Sequence, residues 1–264
     1  QNKGYNNLVV RGRSELDLQN QQEVEKFFSD EKPDVVILAA AKVGGIQANN
    51  TYRFDFIENN LTIQNNVINS AHTHGAKRFV FLGSSCIYPK MAPQPMPENC
   101  LLTGPLENTN RPYALAKIAG LEMIDALRKQ YGRSYFSVMP TNLFGIGDNF
   151  HPENSHVLPA LLRRFQEAVE NGNDKVIVWG SGTPKREFLF SDDCADAIVF
   201  LLENLDDEKM NSLIPGGGSL SHVNVGSGEE VSIAELARAI AEVTGFSGKI
   251  EFDTSKPDGT PRKL

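Results

Sequence analysis

The residues with the clearest chemistry are a tyrosine and a lysine one helical turn apart. Tyr113 and Lys117 form a Tyr-x-x-x-Lys pair, so on a helix both side chains lie on one face. A free phenol has a pKa of about 10, and a cation one turn away favours the phenolate and lowers that pKa. Ser84 follows an apolar run, where its hydroxyl could hold a carbonyl oxygen beside the phenol. The three residues predict proton donation to a carbonyl oxygen while a hydride arrives at its carbon.

A thiol lies two residues after this serine. We therefore expect Cys86 beside the same carbonyl, where a thiol can exchange protons near neutrality. The alternative for a free cysteine is a small buried apolar residue, and we give that interpretation to Cys100 and Cys194. The sequence thus offers Cys86 as a candidate acid–base group next to the predicted proton donor.

The elements that must position these residues alternate between short β-branched runs and longer amphipathic stretches. Strands are predicted at residues 8–10, 34–40, 78–83 and 135–140, and helices at 19–30, 54–74 and 113–131. The run at 34–40 is continuously apolar, which is typical of a parallel strand covered on both faces. This order predicts an α/β fold with a doubly wound parallel sheet of the Rossmann type. In such sheets ligands bind at the carboxyl ends of the strands, where Ser84 lies.

The second half of the chain predicts a smaller α/β lobe interleaved with the first. Helices are expected at 157–171, 192–205 and 233–244, strands at 176–179, 222–225 and 249–252, and a glycine-rich loop at 214–219. We predict a dinucleotide-binding domain from residues 1–146 and 187–226, and a substrate-binding lobe from residues 147–186 and 227–264.

Composition excludes several classes of protein. The chain has 264 residues, 40% of them hydrophobic, and a formal net charge of −7. An acidic chain is a poor candidate for non-specific nucleic-acid binding, and no apolar run approaches the roughly 20 residues that span a bilayer. Its three scattered cysteines suggest a reducing compartment such as the cytoplasm, and their spacing predicts no metal site.

Cofactor choice follows from the loop after the first predicted strand. In a dinucleotide-binding sheet this loop meets the adenosine ribose, where an acidic residue selects NAD and an arginine accommodates the 2′-phosphate of NADP. Arg11 and Arg13 occupy the loop and favour NADPH. The alternative is two solvated arginines on a surface loop.

Several motifs resemble those of one enzyme family. Ser84, Tyr113 and Lys117 look like the catalytic triad of the extended short-chain dehydrogenase/reductase family. The segments most similar to its branch acting on GDP-4-keto-6-deoxy-D-mannose are residues 39–45, 83–89, 140–145, 148–150 and 179–182. The resemblance runs essentially from end to end and implies NADPH-dependent 3,5-epimerisation and 4-reduction of that GDP-sugar. In the resemblance Cys86 is the base and His156 the acid of the epimerisation, and Arg13 is the phosphate-binding arginine.

The resemblance also implies the binding residues. Those expected at the cofactor are Arg13, Leu18, Ala40, Leu82, Gly83, Ser84, Ser85, Lys117, Pro140, Thr141, Asn142, Leu143 and His156. Those expected at the substrate are Arg164, Trp179, Arg186, Asp258 and Lys263. Arg163 and Arg164 are adjacent on one helix, so they cannot both point the same way.

Family members begin with a strand and a glycine-rich turn and end with a C-terminal tail. Compared with them, this sequence is expected to lack these segments. The family also implies a homodimer, for which we expect helices 54–74 and 113–131 to supply the interface. Two other functions stay open. One is a nucleotide-sugar 4-epimerase or 4,6-dehydratase that retains NAD, and the other is a non-enzymatic dinucleotide-binding scaffold.

Overall fold

The computed structural model describes residues 3–152, 154–205, 208–209 and 221–264. The glycine-rich loop predicted at 214–219 lies outside these residues. The helices are α1 Gln21–Glu31, α2 Ile46–Thr51, α3 Arg53–Thr73, α4 Arg111–Tyr131, α5 Val157–Glu170, α6 Ser191–Asn204 and α7 Ile233–Thr244. The strands are β1 Val35–Leu38, β2 Arg78–Leu82, β3 Ser134–Pro140, β4 Asn142–Phe144, β5 Lys175–Trp179, β6 Lys185–Phe190, β7 His222–Val225, β8 Glu230–Ser232, β9 Lys249–Asp253 and β10 Arg262–Lys263.

The larger sheet is parallel and covered by helices on both faces, which confirms the predicted α/β class. Its strand order is β1-β2-β3-β7. Alternate residues of β2 and β3 point to opposite faces, as the pleat requires. Phe79, Phe81 and Tyr135 pack into a core with α1 and α3, whereas Val80 and Phe136 pack into a core with α6.

Local signals in the sequence fix the ends of several helices. The Asn20 side chain accepts hydrogen bonds from two backbone N–H groups at the start of α1. Ser232 and Glu235 form a reciprocal capping box at the start of α7, and Gly245 ends that helix in the left-handed conformation.

Two expectations about the amino-terminal part of the chain are wrong. Residues 8–10 are extended and exposed, and they form no strand. β1 is covered on one face only, because Val35 and Ile37 are 46% and 47% exposed while Leu38 packs into the core. Residues 8–10 have no partner, because β1 pairs with β2 alone and among the described residues no strand lies at its other edge. Val35 and Ile37 are exposed because no described element covers that face of β1.

The carboxyl-terminal part contains two smaller sheets. β6 lies between β10 and β4 in parallel and also pairs with β8 in antiparallel, while β5 and β9 form a separate parallel pair. α5 and α7 pack together over the β5 and β9 pair. The sequence did not predict α2, β4, β6, β8 or β10, which are short or partly polar. Within the described ranges, no helix is both long and apolar enough to traverse a bilayer.

Candidate active site

Ser84 lies just beyond the carboxyl end of β2, as predicted. Its hydroxyl accepts a hydrogen bond from the backbone N–H of Cys86 at 3.2 Å, and so begins a one-turn 3₁₀ helix over Ser85–Ile87. The end of the Met139 side chain packs against Gly83, where a Cβ would lie 2.3 Å from its sulfur. Gly83 N–H also donates to Val138 O at 2.9 Å, which ties the start of this turn to β3.

Tyr113 and Lys117 lie in the first two turns of α4, below this serine. A hydrogen bond joins Ser84 to Tyr113, and the ring of Phe56 packs edge-on against the phenol ring at 6.3 Å. The Lys117 ammonium is buried, donates to the backbone oxygen of Leu82 at 2.7 Å and lies 5.9 Å from the Tyr113 ring centre. The Ser-Tyr-Lys set is therefore brought together as one cluster.

The electrostatics of this cluster differ from the sequence expectation. Burial raises the pKa of Tyr113, the neighbouring Cys86 raises it further, and the hydrogen bond with Ser84 lowers it. Burial also lowers the pKa of Lys117 to about 8. Desolvation outweighs the attraction between the phenolate and the ammonium, because both groups lie away from water. The phenol is consequently neutral at pH 7, which is the form that can donate a proton.

Cys86 lies in the same cluster, one turn beyond Ser84. Its sulfur accepts hydrogen bonds from Asn110 Nδ2 and from Lys263 Nζ, each at 3.2 Å. Cys100 and Cys194 are buried among apolar side chains instead, and burial raises the pKa of both thiols. The three cysteines thus have different environments, as their sequence contexts suggested.

His156 is the residue that precedes α5, and its side chain makes no capping hydrogen bond to that helix. Desolvation lowers its pKa, nearby Asp148 raises it and the charge of Lys263 lowers it. The charge of Lys263 acts on both Cys86 and His156, so the two candidate proton-transfer groups have this cation as a common neighbour. A glycine positions the histidine loop: Gly45 N–H donates to Asn154 O, and a Cβ on Gly45 would lie 2.5 Å from Ser155 O.

The residues expected at the cofactor follow the carboxyl ends of the larger sheet. Ala40 is exposed after β1, Leu82 and Gly83 end β2, and Pro140 ends β3. Thr141, Asn142 and Leu143 continue into β4, and the Thr141 and Asn142 side chains both donate to the backbone oxygen of Glu187. Ser85 is buried within the 3₁₀ turn, and Leu18 packs against the core.

The two arginines of the loop after residue 10 have different environments. Arg11 is bound to Glu31 and lies over the Phe27 ring. Arg13 is exposed, and no hydrogen bond or ion pair to it is found in the part of the chain that the structure describes. Lys117 uses one of its three N–H donors on Leu82 O and retains the others for a ligand. The exposed cation of Arg13 and the spare donors of buried Lys117 are groups that fit the phosphate and ribose oxygens of a phosphorylated dinucleotide.

The residues expected at the substrate form two groups. Trp179 is flanked by Arg164, whose guanidinium lies 4.6 Å from the ring centre, and by Lys256 at 5.3 Å. Arg163 points away and binds Glu167 and Phe150 O, as the helical spacing required. This first group presents a partly exposed aromatic ring and cations to a ligand.

The second group lies beside the thiol. Arg186 donates to the backbone oxygen of Asp258, and its charge acts on Cys86. Both carboxylate oxygens of Asp258 accept hydrogen bonds from Ser181, so this carboxylate braces a turn. Lys263 contacts the thiol directly.

Sequence reasoning missed Asn110 and the role of Gly45. Asn110 precedes Tyr113 by one turn, so its position next to the proton donor was readable from the sequence. Its contact with Cys86 was not, because that contact depends on how the loop after β2 packs against α4. Within the described ranges, no cluster of histidine, cysteine or acidic side chains could hold a metal ion.

Comparison with known proteins decides the family. A model of the NAD dependent epimerase/dehydratase family matches residues 1–226. The chain belongs to this family.

Family members of known name include close relatives of this chain. The chain is 62% identical to the putative GDP-L-fucose synthase 2 of Arabidopsis thaliana, covering all of this chain and 77% of that protein. It is 55% identical to the GDP-L-fucose synthase of Escherichia coli K12, covering 99% of this chain and 81% of that one. Among solved structures, a GDP-mannoheptose C4 reductase from Campylobacter jejuni with NADP bound superposes with a TM-score of 0.88. The two sequences are 38% identical, and the match covers all of this chain and 82% of the reductase chain. The family thus supplies NADP-binding enzymes with this fold.

Proposed function

We propose that this protein is a GDP-L-fucose synthase, which converts GDP-4-keto-6-deoxy-D-mannose to GDP-L-fucose by 3,5-epimerisation and 4-reduction with NADPH. The observation that carries the proposal is the thiol of Cys86, held by two donors in the same cleft as Ser84, Tyr113 and Lys117. A reductase needs only the last three residues. The added thiol supplies the proton transfer that inverts a carbon next to a ketone.

NADPH, when bound, supplies the hydride that reduces C4 of the sugar. Residues that would hold it are Arg13 at the 2′-phosphate and Lys117 at the nicotinamide ribose. Ala40, Leu82 and Pro140 would line its path along the sheet edge. The family resemblance assigns His156 to the cofactor as well as to the epimerisation.

In the reduction, Tyr113 donates its phenolic proton to O4 of the sugar. The phenol is neutral at pH 7 because burial raises its pKa. Ser84 holds the carbonyl oxygen next to the phenol, so that the proton travels along an existing hydrogen bond. Lys117 lies under the ring and stabilises the negative charge that the phenol acquires.

In the epimerisation, the Cys86 thiolate removes a proton from the carbon next to the ketone. The C–H bond breaks, an S–H bond forms, and the electron pair moves to O4, where Ser84 and Tyr113 donate hydrogen bonds to the developing oxyanion. His156 in its protonated form then donates a proton to the opposite face of that carbon, and the new C–H bond forms as the electron pair returns from O4. The thiol and the imidazole exchange protons with water before they act on the second carbon. The configuration inverts, and no oxidant or reductant is consumed. The same groups act at C3 and C5, which both adjoin the ketone.

The GDP portion of the substrate needs an aromatic surface and cations. Trp179, with Arg164 and Lys256 beside it, offers both at the outer end of the cleft. Arg186 lies nearer to Cys86 and suits the diphosphate next to the sugar, since a guanidinium binds phosphate oxygens in pairs.

The test separates the two half-reactions. The purified protein is incubated with NADPH and GDP-4-keto-6-deoxy-D-mannose, and we expect oxidation of NADPH together with formation of GDP-L-fucose. In D₂O without NADPH, we expect deuterium to enter at C3 and C5. Cys86→Ser should abolish this exchange, whereas the matched variant Cys194→Ser, a buried cysteine in a separate core, should retain it.

Two results would overturn the proposal. If Cys86→Ser makes GDP-L-fucose at the parent rate, the thiol has no role in the chemistry. If NADPH is not oxidised and tightly held NAD is recycled on a UDP- or dTDP-sugar, the protein is a 4-epimerase or 4,6-dehydratase instead. Dinucleotide binding without turnover of any sugar would indicate a scaffold.

We also propose that the protein is a homodimer in the cytoplasm. The free state of its three cysteines supports a reducing compartment. Leu115 on α4 is 39% exposed and Phe54 on α3 is 75% exposed, so the two helices carry apolar surface that a second copy could cover. Light scattering should give a mass near 58 kDa, about twice the 29.1 kDa of the chain, and a monomer mass at micromolar concentration would contradict the proposal.

A further inference from the structure

The sulfur of Cys86 has two side-chain donors that reach it from distant parts of the chain. Asn110 Nδ2 and Lys263 Nζ each lie 3.2 Å from Sγ. A lysine ammonium carries donors and no acceptor, so the sulfur must be the acceptor in that hydrogen bond. The side of the asparagine amide that faces the sulfur is likewise its N–H₂ group.

The orientation of Asn110 is informative because an amide can present either end. A neutral thiol could donate its S–H to the amide oxygen, but here Oδ1 points elsewhere. Oδ1 is itself buried without a hydrogen-bond partner among the described residues. Asn110 and Lys263 therefore both present N–H donors to the sulfur, and such hydrogen bonds favour the charged thiolate over the neutral thiol.

The other donor is fixed by a short strand. β10 contains Lys263 and pairs with β6, and Leu264 makes two hydrogen bonds with residues near the thiol loop. Its N–H donates to Gln94 Oε1 at 2.7 Å, and its backbone oxygen accepts from Met96 N–H at 2.8 Å. Pairing on both sides therefore fixes the backbone at Lys263, and this places the lysine side chain next to the thiol loop.

The charges around the thiol are predominantly positive. Lys263 and Arg186 act on it from the β10 and β6 side, neutral Tyr113 adjoins it on α4, and His156 lies across Lys263. Glu107 is the acidic residue next to Cys86, and both line a cavity of about 10 Å³. Its carboxylate forms an ion pair with Lys90. Burial raises the pKa of Cys86, but the charge of Lys263 and the hydrogen bonds from Ser84 and Lys263, with Arg186 adding to them, lower it below its usual value.

We infer that Asn110 and Lys263 are positioning residues that keep Cys86 as a thiolate before substrate binds. The inference rests on the proposed function for the role of Cys86 as a base, and it gives Lys263 a role other than contact with the substrate. Asn110 precedes Tyr113 by three residues, so the start of α4 supplies a donor to the thiol as well as the phenol of the reduction. One helix terminus would then serve both half-reactions.

The test measures the thiol itself, without any sugar. Iodoacetamide is reacted with the purified protein over a range of pH, and alkylation of Cys86 is followed by mass spectrometry of its peptide. For Lys263→Gln we expect the midpoint of reactivity to rise by at least about one pH unit, which is a roughly tenfold lower rate at pH values below the parent midpoint. For Asn110→Ala we expect a smaller fall of about threefold, because a neutral donor is lost.

Two further variants control for loss of structure. Arg262→Gln removes the neighbouring cation of the same strand, which binds Glu230 instead, and it should leave the thiol midpoint unchanged. Lys263→Arg keeps a cation at the position and should restore most of the reactivity. If Lys263→Gln has the same midpoint as Arg262→Gln, the inference is wrong, and it is equally wrong if Asn110→Ala leaves the rate at the parent value.

A second measurement separates this inference from the proposed function. The exchange of deuterium at C3 and C5 of GDP-4-keto-6-deoxy-D-mannose is measured against pH for the parent and for Lys263→Gln. In Lys263→Gln we expect the pH at which the exchange rate begins to rise to increase by the same amount as the midpoint of Cys86 alkylation. If the parent shows no exchange while the thiol midpoint still depends on Lys263 and Asn110, the proposed function fails and the inference holds. If exchange occurs but neither variant changes the pH midpoint of Cys86 alkylation, the proposed function holds and the inference fails.

Discussion

The proposed reducing half of the site and the proposed epimerising half are built from different amounts of chain. Ser84, Tyr113 and Lys117 come from one strand end and the helix that follows it, and all lie within 34 residues. The epimerising half combines Cys86, His156 and Lys263, which span 178 residues and come from the turn after β2, the residue before α5 and strand β10. The first half is therefore secured by one packed unit, whereas the second depends on how separate units dock.

This difference indicates which substitutions should affect each half-reaction. The reducing residues are held by the most buried part of the larger sheet, where Gly83 and Gly120 let the backbone and helix approach closely. The epimerising residues are held by loops that contact each other, as residues 44–45 contact residues 154–155. Substitutions should be able to remove one half-reaction and leave the other intact.

The largest effect is expected from Tyr113→Phe. Removing the phenolic hydroxyl takes away the proton donor for O4, so NADPH oxidation should fall by roughly 10³-fold. Exchange of deuterium at C3 and C5 should fall much less, because Cys86 and His156 remain and Ser84 still donates a hydrogen bond to the oxyanion at O4. Both rates are measured on the same preparation, and simultaneous loss of exchange would show that the two halves cannot be separated in this way.

His156→Gln should give the reciprocal result with a smaller effect. Glutamine keeps a polar side chain but cannot transfer a proton, so we expect exchange and product formation to fall by about 10²-fold. His74→Gln, at the end of α3 where the imidazole contacts Glu25, serves as the control histidine. Reduction measured on a substrate that already has the product configuration should remain near the parent rate, and an equal loss in both assays would assign His156 to cofactor binding alone.

A buried histidine beneath the epimerising half should make folding pH-dependent. His222 on β7 is completely buried beside Tyr88, and burial lowers its pKa to about 4. An unfolded histidine binds a proton near pH 6.5, so the stability is full above that value and is lost as pH falls towards the folded pKa. The free energy of unfolding should drop by about 2 kcal/mol between pH 7 and pH 5 through this residue.

Denaturant unfolding at the two pH values measures this contribution. In His222→Gln the drop between pH 7 and pH 5 should shrink by that amount relative to the parent. An identical pH dependence in His222→Gln and the parent would refute the assignment.

The smallest effect is expected at the contact between loops. Gly45→Ala puts a methyl group where only 2.5 Å separates it from Ser155 O, so the loop that carries His156 must shift. We expect exchange at C3 and C5 to slow by about tenfold and the free energy of unfolding to fall by about 1–2 kcal/mol. Hydride transfer to a substrate of product configuration should change little. A uniform loss of both activities would mean that the shift also reaches the reducing half.

Much of the fold was predictable because the elements carry their own signals. The long helices α3 and α4 and the buried strands β2 and β3 appear within two residues of their expected ends, since apolar periodicity and capping residues are local. The failures are non-local. Residues 8–10 have the composition of a strand but no strand to pair with, and Val35 and Ile37 are apolar yet exposed because one face of β1 has no cover among the described residues.

The sequence by itself determined the α/β class, the Ser-Tyr-Lys cluster and the nearness of Cys86 to it, because these depend on short spacings along one strand and one helix. Only the tertiary structure decided which groups surround the thiol. The approach of Lys263, the N–H₂ orientation of Asn110 and the rise of the Tyr113 pKa all follow from how distant segments pack and exclude water. Spacing fixes which side chains share a helix face, but desolvation and charge depend on every atom nearby, and those atoms come from the whole chain.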